Sequence, residues 1–172
     1  MKIAYTMAPA RGDTDRLLFA VAEDLAASGY RTCGTVQINT DRGEQPCDMD
    51  VRVLPDGPVL RISQSLGRGA RGCRLDPASL ETAVGLVEAG LNHGADIVIV
   101  NKFGKHEAEG RGFRTIIAAA IARDIPVLVG VNALNLDAFL AFVGAEATRL
   151  EPSKDTLARW LDTAMATTGE AA

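Results

Sequence analysis

Residues 96–105 read Asp-Ile-Val-Ile-Val-Asn-Lys-Phe-Gly-Lys. The apolar part is β-branched and does not alternate, so it has no face to offer to water. A strand of this kind suits the middle of a parallel sheet covered by helices on both sides, which commits the chain to a layered α/β architecture. The run is expected to end at Val100 and give way to a polar, lysine-bearing turn, Asn101–Lys105. Open parallel sheets bind ligands beyond the carboxyl ends of their strands, so this turn is a first candidate site.

The flanking segments fit the same architecture. Lys2–Met7 reads as a first strand and Ala8–Asp13 as a loop containing the turn formers Pro9 and Gly12. Asp13 or Thr14 is expected to cap the next helix through a side-chain oxygen. Leu17, Leu18, Val21, Ala22 and Leu25 form its apolar stripe, and Gly29 stops it. Arg31–Ile38 is a second strand, completing a right-handed βαβ-type opening. After a polar turn at Asp41–Gln45, Cys47–Leu54 alternates Met49, Val51 and Val53 against Asp48, Asp50 and Arg52, the pattern of a half-exposed strand.

Pro55-Asp56-Gly57-Pro58 turns the chain back into Val59–Ile62, giving an antiparallel hairpin inserted at about residues 46–63. Residues 64–75 read as an irregular loop rich in glycine and arginine. Asp76-Pro77 opens a helix with a capping carboxylate and a first-position proline, and Leu80, Val84, Val87 and Leu91 are its buried stripe. Gly112–Ile121, Leu136–Phe142 and Leu157–Ala166 are expected helices; Pro126–Val131 is a buried strand and Ala145–Leu150 an edge strand. The expectation is a single α/β domain over residues 1–172, a three-layer sandwich around a mainly parallel sheet.

Composition narrows the function. No apolar stretch reaches the roughly 18–20 residues of a membrane-spanning helix, and the opening residues lack the pattern of a secretory signal. A cytoplasmic protein without membrane insertion is therefore expected. The three cysteines, Cys33, Cys47 and Cys73, have no paired short spacing and read as free thiols. With His93 and His106 the only histidines, no metal site is expected, and no motif names a cofactor. A net charge of −4 argues against a nucleic-acid partner. Yet Arg61, Arg68, Arg71 and Arg74 lie between Asp56 and Asp76 with no carboxylate among them, a local basic field suited to an anion.

Three elements gather as a candidate anion site. The first loop offers Arg11, Gly12 and Thr14 ahead of a helix whose free N–H groups and dipole favour negative charge. It departs from a working phosphate loop, G-x-x-x-x-G-K-[ST], because Asp13 stands in the lysine place, where a carboxylate would repel a triphosphate. The second element contributes Asn101, Lys102, Gly104 and Lys105, with His106 as a further donor and Gly104 expected to allow a tight turn. The third contributes Arg68 and Arg71, whose planar forks bind oxyanions through paired donors; surface pairing of these arginines with Asp48, Asp50 or Glu107 is the alternative.

These segments carry a family resemblance. Cys47-Asp48-Met49-Asp50, Arg61-Ile62-Ser63-Gln64, the run Gly69–Asp76, Asn101–Lys105 and Glu107–Gly112 together resemble a bacterial family known as domain of unknown function 2478, over about residues 2–150. More distantly, the order of parts is similar to that of the small nucleoside-triphosphatases first described from thermophiles. That resemblance implies a P-loop NTPase-like fold and a strand ending in D-E-x-G-K. Here Asn101 and Lys102 replace the Asp and Glu, while Gly104 and Lys105 match. Members of the family are often labelled as connected with molybdate transport, which implies a tetrahedral oxyanion as one candidate ligand.

The reading that follows is a binding module for a small anionic ligand, namely a nucleotide, phosphate or molybdate-like oxyanion, held without turnover. A divergent nucleoside-triphosphatase is the alternative. An interaction module that uses the Arg68–Arg74 loop, or a homodimer through the hairpin edge, is a third reading.

Overall fold

The computed structural model describes residues 1–42, 45–64, 74–144 and 146–166, with the backbone alone described at 41–42 and 45–47. Seven strands form one sheet: β1 (Ile3–Thr6), β2 (Thr32–Arg42), β3 (Gln45–Leu54), β4 (Val59–Arg61), β5 (Ile97–Phe103), β6 (Val127–Val131) and β7 (Thr148–Leu150). Their spatial order is β4-β3-β2-β5-β6-β1-β7. The five strands from β2 to β7 run parallel, and the β3–β4 hairpin continues the sheet antiparallel from β2.

The helices are α1 (Asp13–Ala27), α2 (Pro77–Asn92), the single turn α3 (Lys105–Ala108), α4 (Arg114–Ala122), α5 (Leu136–Val143) and α6 (Lys154–Ala166). The pleat of β5 explains why they divide between two faces. Ile97 and Ile99 pack with Leu18, Val21 and Leu25 of α1 and Leu157 and Leu161 of α6. Val98 and Val100 pack with Leu80, Val84 and Val87 of α2, Ile116 and Ile117 of α4, and Phe139 of α5. Both sets are buried, so the strand needs the apolar residues on both sides that its sequence supplies. Phe103 continues this core, edge-on to Phe139 at 5.3 Å and stacked on Phe142 at 6.0 Å between ring centroids. The result is the three-layer sandwich expected from the alternation of strands and helices.

α2 begins as its sequence predicts: the Asp76 carboxylate accepts from the N–H groups of Ala78 and Ser79. Three expectations fail. α1 is preceded by Gly12 in a left-handed conformation, φ 82°, and neither Asp13 nor Thr14 supplies a side-chain cap. Thr14 Oγ1 instead accepts the Ala8 N–H at 2.9 Å, folding the loop back on itself. β5 does not stop at Val100 but continues through Asn101 and Lys102 to Phe103, because the buried Phe103 side chain anchors the extension. Asp48, expected on a solvated strand face, is also buried. Arg61 and Arg74 cover it, their guanidinium nitrogens lying 2.9 and 3.9 Å from its carboxylate.

Candidate functional site

The carboxyl ends of β1, β2, β5, β6 and β7 open into a cleft of about 1010 Å³. The first loop forms one wall, with Arg11, Gly12 and Thr14. Asn101 and Lys102 come from the end of β5, Asn132 from the residue after β6, and Arg149 from the edge strand β7. Crossing of the sheet at this rim follows from topology. β1 is separated from β5 by β6, so the loops after β1 and β5 flank the end of β6. Gly130 makes the approach possible: a Cβ there would lie 2.1 Å from the Asn101 carbonyl oxygen and 3.0 Å from Thr14 Cγ2.

The floor of the cleft is a hydrogen-bonded polar knot. Asn101 Nδ2 donates to Asp15 Oδ1 at 2.8 Å, and Asn101 Oδ1 accepts the Gln37 N–H at 2.9 Å. The other Asp15 oxygen accepts from Asn39 Nδ2 at 2.6 Å and Gln37 Nε2 at 3.4 Å. Asn101 is 3% exposed, so its amide is part of the core and not a free ligand donor. The carboxylate that reaches the cleft is thus Asp15. Asp13, the residue expected to repel a phosphate, does not line the cleft and is paired with Arg16.

Above this floor the cleft is cationic. Arg11, Lys102 and Arg149 line it, are exposed, and have no ion-pair partner among the described residues. Arg16 is a fourth cation, offset by Asp13, and Glu151 is a second carboxylate at the rim. A divalent metal does not fit the position of the D-E pair. There Asn101 already uses its oxygen on a backbone N–H, and Lys102 brings positive charge.

Gly104 and Lys105 line a second, smaller cavity of about 300 Å³. It shares Gln37, Met49, Asn101, Lys102 and Asn132 with the cleft, and Val51, Ile62, Leu75, Leu80 and Phe113 line it beside polar residues that include Arg74, His106 and Glu107. Gly104 has φ −112° in an extended conformation, so the tight turn assigned to it is not made there. Its N–H is held by the Glu107 carboxylate at 2.9 Å, and the other Glu107 oxygen accepts from Phe113 N–H at 3.3 Å. Lys105, with its side chain 85% exposed, lies 3.7 Å from Glu109. His106 is buried and donates from Nε2 to Glu81 at 2.7 Å. This turn is therefore a folded, internally paired structure and not an open set of donors.

Of the expected site residues, Arg11, Gly12, Thr14, Asn101 and Lys102 meet in one cleft, with Gly104 and Lys105 in the adjoining cavity. Arg68 and Arg71 lie outside the described residues. The other two arginines of the basic segment are paired with carboxylates: Arg61 bonds Asp50 and lies against Asp48, and Arg74 lies against Asp48. Sequence reading missed Asp15, Gln37, Asn39 and Arg149. Only Asp15 carried a signal, being an acid one residue after Thr14 in the loop already singled out.

The fold, a mainly parallel seven-stranded sheet with a loop-to-helix turn after its first strand, is similar to that of two solved nucleoside triphosphatase-like structures. The solution structure of a human cancer-related nucleoside triphosphatase matches with a TM-score of 0.63 at 15% identity, covering all of both chains. The crystal structure of THEP1 from Aquifex aeolicus matches with a TM-score of 0.66 at 17% identity, covering 97% of this chain and 98% of that one. The chain itself belongs to the family described as Protein of unknown function (DUF2478), whose model matches residues 3–160. It is also 36% identical over 161 residues to the Molybdenum import ATP-binding protein ModC 2 of Bradyrhizobium diazoefficiens. That alignment takes in 92% of this chain but only 18% of the relative.

Proposed function

We propose that the protein binds a phosphate-bearing ligand or small oxyanion in the cleft at the carboxyl rim of its sheet, and holds it without turnover. One observation carries this reading: Arg11, Lys102 and Arg149 border a single cleft and lack ion-pair partners among the described residues. Cations left unpaired at a concave site focus field and raise the local concentration of anions. The N-terminus of α1 points the same way, with Gly12 and the loop backbone at the cleft wall.

Absence of turnover rests on the replaced groups. Phosphoryl transfer is mostly positioning and neutralisation of charge by a metal and lysine. Here the lysine place of the loop holds Asp13 and the metal-holding place holds Asn101. A link to molybdenum handling is supported by the relative named as a molybdenum importer's ATP-binding protein, part of which this chain resembles.

Titration calorimetry with phosphate, sulfate, molybdate and nucleotides tests the proposal. Heat is expected from at least one of them, weakened on Arg11→Ala and on Lys102→Ala. No heat from any at millimolar concentration rejects it. Magnesium-dependent phosphate release above buffer rejects the absence of turnover and favours the nucleoside-triphosphatase alternative.

A further inference from the structure

We infer that the ligand is an organic phosphate with a largely apolar body: its anionic end in the cationic cleft, its body in the smaller cavity adjoining it. This rests on the anion-binding reading above and adds the substrate class. Two observations carry it. The first is continuity: the two spaces share five lining residues, Gln37, Met49, Asn101, Lys102 and Asn132, so one molecule spans both. The second is a change of chemistry across that boundary. Arg11, Arg16 and Arg149 line the cleft alone, whereas the surface of the cavity is mostly apolar, from Val51, Ile62, Leu75, Leu80 and Phe113, with Arg74, Lys105 and Glu107 among its polar lining.

Size agrees. Sites for organic ligands run to about 300–1,000 Å³, and the cleft alone is about 1010 Å³. A bare tetrahedral oxyanion, with a handful of heavy atoms, leaves most of that space to water and touches none of the apolar wall. An apolar wall open to water is costly, and covering it is worth about 25 cal/mol per Å². The cavity also offers a polar edge. His106 is buried, and with Nε2 committed to Glu81 its other ring nitrogen has no partner among the described residues. His106 is among the residues that line the cavity, so a polar group at the margin of the ligand's body meets it.

The experiment compares probes on the unaltered protein. Inorganic phosphate, ribose 5-phosphate and phenyl phosphate share an anionic end and differ in body. Calorimetry is expected to give phenyl phosphate at least about tenfold tighter binding than inorganic phosphate, with ribose 5-phosphate within about threefold of phosphate. Amide NMR shifts are expected at Val51, Leu80 and Phe113 with phenyl phosphate and not with phosphate. Leu75→Trp, which fills the cavity from its half-exposed wall, is expected to bring the affinity for phenyl phosphate down to that for inorganic phosphate. Equal affinities of phosphate and phenyl phosphate, equal affinities of the sugar and aryl phosphates, or shifts confined to Arg11, Gly12 and Lys102 overturn the inference and leave the anion site standing. No binding of phosphate, sulfate, molybdate or phenyl phosphate overturns both.

Discussion

Asn101 Nδ2 donates to Asp15 Oδ1 at 2.8 Å, joining the end of β5 to the first turn of α1 beneath the cleft. The same side chain accepts the Gln37 N–H and so fixes β2 as well. An aspartate here, as in the D-E-x-G-K pattern, would set two carboxylates at hydrogen-bond distance, which disfavours ionisation of both. Asn101→Asp is expected to cost about 1–3 kcal/mol at neutral pH. Magnesium is expected to recover part of that loss, because a hard cation shared by two carboxylates removes their repulsion. Thermal scans in EDTA and in magnesium check both parts. A variant as stable as the parent in EDTA would show that Asp15 is not an ionised acceptor held by this amide.

Gly130 and Gly104 are both glycines beside the candidate site, and only one is sterically required. A Cβ at Gly130 would stand 2.1 Å from the Asn101 carbonyl and 3.0 Å from Leu18 Cδ1. Gly130→Ala must push β5 and α1 apart, at a cost of about 1–3 kcal/mol or more. At Gly104 the φ is −112° and the nearest atom would be Glu107 Oε2 at 3.5 Å. Gly104→Ala is expected to stay within about 0.5 kcal/mol of the parent. Urea unfolding of the two variants separates these outcomes, and similar midpoints for both would contradict the close packing at Gly130.

The fold was legible because burial on both faces leaves a direct mark on sequence. The run Ile97–Val100 has no polar phase, and the Leu80, Val84, Val87, Leu91 stripe repeats at helical spacing; each stripe packs on the face its period implies. The site was legible only where its residues are neighbours in the chain. Arg11, Gly12 and Thr14 share one loop, and Asn101 and Lys102 one strand end. Arg149 comes from the edge strand and Gln37 from β2, brought to the rim by a strand order that local pattern does not encode. Polar residues also misled where tertiary contacts claimed them. Asn101 and His106 look like surface donors in sequence, but the first is tied to Asp15 and the second to Glu81.

Cys33 lies on β2, 3% exposed, with its thiol donating to the Val87 carbonyl at 3.4 Å. Burial pushes this thiol up from its ordinary range, against a smaller opposing effect of a backbone hydrogen bond from Gly34. The thiolate, which is the reactive form, is therefore scarce at neutral pH. Peptide-resolved iodoacetamide labelling should modify Cys33 more slowly in the native protein than in urea, on the order of a hundredfold. Equal rates at this site would mean that α2 does not cover β2 as described.

Arg31 and Asp96 join the start of β2 to the residue before β5 through two kinds of contact. The guanidinium lies 2.6 Å from one carboxylate oxygen, and the Arg31 N–H donates to the other at 2.8 Å. The Arg31 side-chain hydrogen bond, then the backbone N–H and the charge of the same residue, hold the Asp96 carboxyl below its ordinary range despite some burial. A carboxyl that releases its proton more readily when folded stabilises the protein while it is ionised. That stability is complete above the unfolded value near pH 4 and is lost as pH falls through the lower folded value. Both partners face solvent, so the effect is modest, at most about 1 kcal/mol. Asp96→Asn should thus lie below the parent in stability at pH 7, with the difference shrinking below about pH 4. Urea midpoints measured from pH 7 to pH 3 test this, and a constant difference across that range would assign the loss to the backbone contact and not to charge.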